Sequence, residues 1–374
     1  MVCPDCQKMQ QADQPLMGVL EVEYEGKLDK NFSTFDFLPV EEEFFPSMPV
    51  GNTPLWNPKN LRNQFGFKNL YFKDDSSNPT SSFKDRASYL VSAFAKKHGI
   101  NEIVLASTGN AGSSMAGVGA AQGQQITIFL PKAAPPAKLI QAQKYGANVI
   151  LVDGNYDLAF DFSLEYSKTK GGMNRNTAYN PMTIEGKKTV SLEVYKQLGH
   201  RAPDYVFVST GDGCILAGVY KGYKDLLKMG LISKVPVIYS VQSTGSDALL
   251  RAFNSPTGEF TNIPTATVAD SICVDVPRNG RHALKLLKQF GGKAVAVADE
   301  SIIKAQKDLS SSTGLITEPA GATAYAGFLA VKDQLPKDAT IVVMTTGNGL
   351  KDTASASKGV PKLPTPIKSV QELF

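Results

Sequence analysis

From Asn69 to Thr345 the chain alternates short apolar runs with longer stretches whose apolar residues recur every third or fourth position. That rhythm predicts strands at 69–73, 102–106, 125–130, 148–152, 205–208, 235–241, 293–297 and 340–344. Between them it predicts helices near 84–98, 111–122, 135–145, 155–169, 185–199, 214–229, 280–290, 300–313 and 320–335. Strand, helix, strand with short connections confines such a chain to parallel sheets covered on both faces. In those sheets ligands bind where strand C-terminal ends meet helix N-termini, so the strand-to-helix loops are the places to search for chemistry. Before the alternation begins, Val19–Tyr24 reads as a hairpin-like piece, followed by an acidic-aromatic run at 41–46.

The loop ahead of the helix at 84 is NPTSSFKDRA, residues 78–87. Asn78-Pro79 ends the preceding strand, and Thr80, Ser81 and Ser82 offer oxygens that cap a helix N-terminus. Lys84 then sits where the positive end of the helix dipole disfavours an ammonium, which lowers its pKa and makes it a nucleophile for a carbonyl or a cofactor aldehyde. The ordinary alternative is a solvated surface lysine.

Three more loops are unusual. Ser107-Thr108-Gly109-Asn110-Ala111-Gly112 follows the strand at 102–106; its glycines and the helix N-terminus after it suit a carboxylate, and Asn110 both donates and accepts. Ser209-Thr210-Gly211-Asp212-Gly213-Cys214-Ile215-Leu216-Ala217-Gly218 follows the strand at 205–208 and opens a helix, which makes a phosphate cradle of main-chain amides. It is neither a P-loop nor GxGxxG, since Leu216 stands where the third glycine belongs. Asp212 must turn its side chain away from a phosphate for this cradle to work. Thr345 to Asp352 follows the last strand, and a hydroxyl at that strand end can meet a heterocyclic nitrogen; Glu318, in Thr317–Gly321, enters another helix nearby. A reactive lysine, a carboxylate cradle, a phosphate cradle and a hydroxyl for a ring nitrogen together match the needs of pyridoxal phosphate.

Composition points away from other partners. Lys and Arg exceed Asp and Glu by 39 to 35, a net +4 without a basic block, which argues against nucleic acid. No run reaches the roughly 18 apolar residues of a membrane span. The start, MVCPDCQKMQQADQ, lacks the basic and apolar regions of a signal peptide, so the cytoplasm is the expected compartment. Cys3 and Cys6 form half of a zinc-ribbon ligand set with no second CxxC, and no metal is expected.

Taken in order, PTSSFKDRA, STGNAG, the glycine-rich turn after VFVS, EPAGA and TTGNGLKD resemble the threonine synthase family over about residues 51–352. The resemblance implies a tryptophan synthase β-subunit-like, fold-type II architecture of two doubly wound parallel-sheet α/β domains. It implies an N-terminal extension at 1–45, a larger cofactor domain at 46–97 and 201–352, a smaller mobile domain at 98–200 and a tail at 353–374. It further implies that Lys84 carries pyridoxal phosphate as a Schiff base, with Phe83 flanking it. Asn110 would bond the ring hydroxyl and 211–215 the phosphate, with Thr346 meeting the pyridine nitrogen. Ser107, Thr108, Asn110 and Ala111 would take the carboxylate of a small amino-acid substrate. A homodimer is expected on the same ground, and a neutral hydroxyl at the ring nitrogen suits elimination and replacement rather than transamination.

One stretch departs from the pattern. The family carries Asn-Ser-x-Asn-Pro-x-Arg-x-Glu-Gly-Gln-Lys-Thr, whose Asn, Ser and Arg grip the phosphate of O-phosphohomoserine. Here it reads Thr177 to Thr189, with Ala178 for the serine and Thr183 for the arginine. Lys187, Lys188 or Arg86 can supply a replacement cation. The leading expectation is conversion of O-phosphohomoserine and water to threonine and phosphate. The alternative is a serine or threonine deaminase or a β-replacement enzyme. A dinucleotide oxidoreductase or a non-catalytic binding protein predicts no cofactor on Lys84.

Overall fold

The protein is described from a computed structural model covering residues 2–11, 13–132, 136–360 and 366–373. Of the expected segments, residue 135 at the start of one helix, residues 1 and 12 of the extension, and 361–365 and 374 of the tail lie outside the described residues. The strands are β1 Leu55–Trp56, β2 Asn69–Asp74, β3 Glu102–Ala106, β4 Gln125–Pro131, β5 Asn148–Val152, β6 Met173–Asn174, β7 Tyr205–Ser209, β8 Val237–Ser243, β9 Lys293–Val297 and β10 Thr340–Thr345. The helices are α1 Pro4–Gln7, α2 Lys59–Phe65, α3 Lys84–Lys97, α4 Asn110–Gln122, α5 Pro136–Lys144, α6 Tyr156–Lys170 and α7 Met182–Lys187. They continue with α8 Thr189–Gln197, α9 Cys214–Lys228, α10 Ala248–Asn254, α11 Gly280–Gln289, α12 Asp299–Thr313, α13 Pro319–Val331 and α14 Thr353–Ala356.

Two sheets result. The larger runs β1-β2-β10-β7-β8-β9 and the smaller β5-β4-β3-β6. Every pairing is parallel except β1 with β2, an antiparallel edge strand. The strands read as continuous apolar runs because helices cover both faces: Val206, Phe207 and Val208 of β7, like Ile103, Val104 and Leu105 of β3, are buried. Helix α13, Pro-Ala-Gly-Ala-Thr-Ala-Tyr-Ala-Gly-Phe, carries no charge over that stretch and is buried on all sides against β7, β8 and β10. We propose the two sheets as the cores of two domains with the boundaries given above, with one qualification: α7 and α8, from the 98–200 segment, pack on α3 and α9.

The fold differs from the sequence reading in three places. Val19–Tyr24 forms no strand; it lies along α9 and α11, where Glu21 pairs with Lys224 at 2.6 Å and His282 at 2.9 Å. Tyr24 there donates to Glu185 at 3.2 Å. The helix expected at 185–199 is two helices, the first starting at Met182 because Asn180 Oδ1 accepts from the Met182 amide at 3.0 Å. The elements β1, β6, α1, α2, α10 and α14 were not expected; two-residue strands and single-turn or two-turn helices carry too few residues for a periodic signal. One contact fixes the entrance to α3. A Cβ on Gly186 would sit 2.2 Å from the Arg86 carbonyl oxygen, so α7 crosses α3 backbone to backbone.

Candidate active site

The first turn of α3 is tied to the loop after β10. The Phe83 amide donates to the Thr346 carbonyl at 2.8 Å, and the Asn348 amide to Ser81 at 3.1 Å. The Lys84 amide donates to Ser82 Oγ at 3.2 Å, so of the three expected capping residues Ser82 serves this turn. Thr80 instead bonds the Asp85 carboxylate. Phe83 is fully buried, and Thr346 lies directly against it. Lys84 lines a cleft of about 410 Å³ together with Ser107, Thr108, Gly109, Asn110, Ala111 and Asp212. Its pKa is lowered, burial being the largest cause and nearby Arg175 adding to it, while Asp212 and Glu318 oppose the shift. The helix dipole invoked from sequence is not needed to explain the direction.

The turn after β3 presents its amides to the cleft. Ser107 Oγ accepts from Gly112 at 2.9 Å and Gly109 at 3.3 Å, which fixes the turn from inside. Among the described residues no acceptor is paired with the Asn110 or Ala111 amides. Asn110 Nδ2 donates to Glu318 Oε1 at 2.8 Å, leaving its buried Oδ1 without a partner among the described residues.

The turn after β7 is more complicated than the sequence suggested. Gly213 takes φ +86°, a conformation that glycine adopts without strain, and caps α9. Asn279 locks this turn, its amide donating to Asp212 O at 2.9 Å and its Nδ2 to Gly213 O at 3.1 Å. Asp212 does not turn away. Its Oδ1 accepts from the Cys214 amide at 2.9 Å, so the carboxylate takes one donor of the anion cradle and also faces the cleft. The Gly211, Gly213 and Ile215 amides have no acceptor among the described residues. An anion bound here keeps those three donors and gains the fourth only by displacing Asp212.

Of the three cations offered as replacements for the family's arginine, two are engaged elsewhere. Arg86 reaches Asp75 at 2.5 Å and Glu193 at 2.6 Å. Lys188 reaches Glu185 at 2.6 Å and Asp225 at 2.8 Å. Thr183 is buried and donates to the Asn180 carbonyl at 2.7 Å, and Ala178 is buried with φ +64°. Neither offers a group to a ligand. Lys187 is different: burial pulls its pKa down to about 8, and it interacts electrostatically with Cys214, Asp212, Arg175 and Lys84.

Sequence reasoning missed Arg175, which follows the two-residue β6, and the segment from Thr265 to Arg278 that walls one side of the cleft. The length of the connection between α10 and α11 was its one available signal, since long ordered loops are commonly functional.

The arrangement has known counterparts. The sequence model for "pyridoxal-phosphate dependent enzyme" matches residues 46–347. The chain belongs to that family. It is 34% identical to threonine synthase of Methanocaldococcus jannaschii over 95% of this chain and 93% of that one. It is 32% identical to threonine synthase of Mycobacterium tuberculosis over 90% and 92%. In structure it matches threonine deaminase isoform 2 of Solanum lycopersicum, TM-score 0.73 and 23% identity, over 92% of this chain and 98% of that one. Maize serine racemase follows at TM-score 0.70 and 22% identity, over 83% and 92%. The protein is thus a fold-type II, pyridoxal phosphate-dependent lyase. Among the described residues there is no cluster of three or more metal-ligating side chains, and no helix is long and apolar enough to cross a membrane.

Proposed function

We propose that this enzyme eliminates or replaces an anionic substituent of a small amino acid, as a threonine synthase does with O-phosphohomoserine and water. The observation that carries the reading is the meeting of Lys84 with two amide-bearing turns, one from each sheet, in a single cleft. The unpartnered Asn110 Oδ1 and the open amides of Gly211, Gly213 and Ile215 fit a phosphorylated pyridine. In this reading Lys84 holds the cofactor through its amine and the 211–215 turn receives the phosphate. Asn110 meets the ring hydroxyl, Phe83 flanks the ring and Thr346 meets its nitrogen. Pyridoxal phosphate, when bound, supplies an electron sink that acidifies the substrate Cα–H. The Lys84 amine, freed when the substrate's own amine takes its place and with burial disfavouring its charged form, takes that proton at Nζ and returns it to a neighbouring carbon. Ser107, Thr108, Asn110 and Ala111 orient the substrate carboxylate, and the two turns exclude water from the reacting atoms.

The second reading, a deaminase, is favoured by Thr183 and Ala178, which cannot grip a substrate phosphate. Purified enzyme offered O-phosphohomoserine, O-phosphoserine, serine and threonine separates the two. Phosphate release with a phosphorylated substrate supports the first. Ammonia and 2-oxo acid from serine or threonine, with no phosphate from the others, overturns it. A cytoplasmic homodimer belongs to the same proposal, and light scattering of the purified protein checks the dimer.

A further inference from the structure

Two buried cations carry donors with no hydrogen-bond partner among the described residues. Arg175 and Lys187 are each 1% exposed. Neither Nε and Nη2 of Arg175 nor Nζ of Lys187 has a hydrogen-bond partner among the described residues. The other deeply buried cations are paired: Lys73, Arg86, Lys188 and Lys221 each reach a carboxylate. A buried cation whose donors are unpaired is strongly unfavourable, and Asp212 reaches both only electrostatically, so two such cations mark the place of an anion.

Their positions say which anion. The Arg175 amide donates to Val104 O at 2.8 Å, and the next residue, Asn176, accepts from the Ala106 amide at 2.8 Å. Arg175 is therefore fixed beside the end of β3, on the same side of Lys84 as the 107–111 turn. Thr177, two residues on, lines the cleft. Lys187 lies at the end of α7 against α9, its Cβ lying 2.5 Å from where a Cβ on Gly218 would be. Both cations interact electrostatically with Asp212, Cys214 and Lys84. The amide cradle at 211–215 belongs to the larger sheet, whereas Arg175 belongs to the smaller, where the substrate's carboxylate is read.

We infer that Arg175 and Lys187 form an anion subsite beside Lys84 that takes a tetrahedral dianion, the phosphate ester of the substrate, in place of the arginine that Thr183 removes. This rests on the reading of Lys84 as the cofactor lysine. Arg175 supplies a fork of parallel donors, and Lys187 supplies a point charge that reaches the remaining oxygen. Asp212 is the counter-charge that the arriving dianion replaces.

The test uses the holoenzyme and inorganic phosphate as the probe. Phosphate binding is measured by calorimetry, and cofactor retention by visible absorbance after dialysis. Lys187→Gln restores the residue that the threonine synthase pattern carries at this position, and Arg175→Lys keeps the charge while losing the fork. Each variant is expected to weaken phosphate binding by about tenfold or more while retaining cofactor within about threefold of wild type. Wild-type phosphate affinity is also expected to fall as pH rises through about 8, where Lys187 loses its proton among Cys214, Asp212, Arg175 and Lys84. Lys187→Gln lacks that fall. Unchanged phosphate binding by both coloured variants overturns the subsite. So does loss of cofactor in step with loss of phosphate, which gives the pair to the cofactor's own tail. Wild-type protein that never takes up the cofactor overturns the underlying reading instead.

Discussion

Replacing Glu193 with glutamine tests how the entrance to α3 is held. Glu193 Oε1 accepts from Arg86 at 2.6 Å and from the Asn52 amide at 2.8 Å. Its Oε2 accepts from Lys73 at 2.7 Å and Arg86 at 2.8 Å. Burial pushes the Glu193 carboxyl up, but Arg86 and then Lys73 outweigh it and hold the group at about 2 instead of 4.5. At about 1.4 kcal/mol per unit, that drop represents about 3 kcal/mol of folding stability. The figure agrees with the roughly 3–5 kcal/mol lost when one partner of a buried ion pair is removed. The sign follows from the folded value lying below the unfolded one. The contribution is fully present above about pH 4.5 and is lost as pH falls toward 2. Urea unfolding of wild type and Glu193→Gln is therefore expected to differ by about 3 kcal/mol at pH 7, with the gap closing as pH approaches the folded pKa. A gap that stays constant with pH refutes the electrostatic origin, and no gap at pH 7 refutes the role of the network altogether.

Other consequences are as specific. Lys187→Met removes a buried amine whose pKa falls from 10.5 to about 8. Because the folded value is the lower, wild type alone gains stability as pH rises from about 8 to 10.5, by about 3 kcal/mol in phosphate-free thermal melts, and parallel pH profiles contradict this. Gly186→Ala places a Cβ 2.2 Å from the Arg86 carbonyl and is expected to cost about 1–3 kcal/mol or more, read as a lower denaturation midpoint. A variant as stable as wild type contradicts the close crossing of α7 and α3. Burial pushes the Cys214 thiol up to about 12, so native enzyme is expected to protect Cys214 from a thiol reagent that labels Cys3 and Cys6. Labelling of Cys214 at the same rate contradicts its burial.

The longer strands were legible as short apolar runs between helical stretches, those buried on two faces, such as β3 and β7, reading as unbroken ones; β3, β5 and β9 begin and end where expected. The turns at 107–112 and 209–218 were legible because each is punctuated by glycine between a strand and a helix. Side-chain direction was not. Asp212 was expected to face away, yet it caps α9 through Cys214, since a carboxylate two residues before a free amide satisfies it locally. Arg175 was invisible because its meaning depends on an absent partner, and a single arginine after a two-residue strand carries no pattern. The choice among Arg86, Lys187 and Lys188 was likewise decided by which carboxylates the fold brings to each cation, Asp75 and Glu193 to Arg86 and Glu185 and Asp225 to Lys188.

The central claim is that the amine of Lys84 holds the cofactor. Protein incubated with pyridoxal phosphate, reduced with borohydride and digested is expected to yield one modified peptide, the one containing Lys84, in a product that Lys84→Ala does not form. Modification at Lys187, a buried amine whose pKa is also lowered and which interacts electrostatically with Lys84, or no modification at all, contradicts the account.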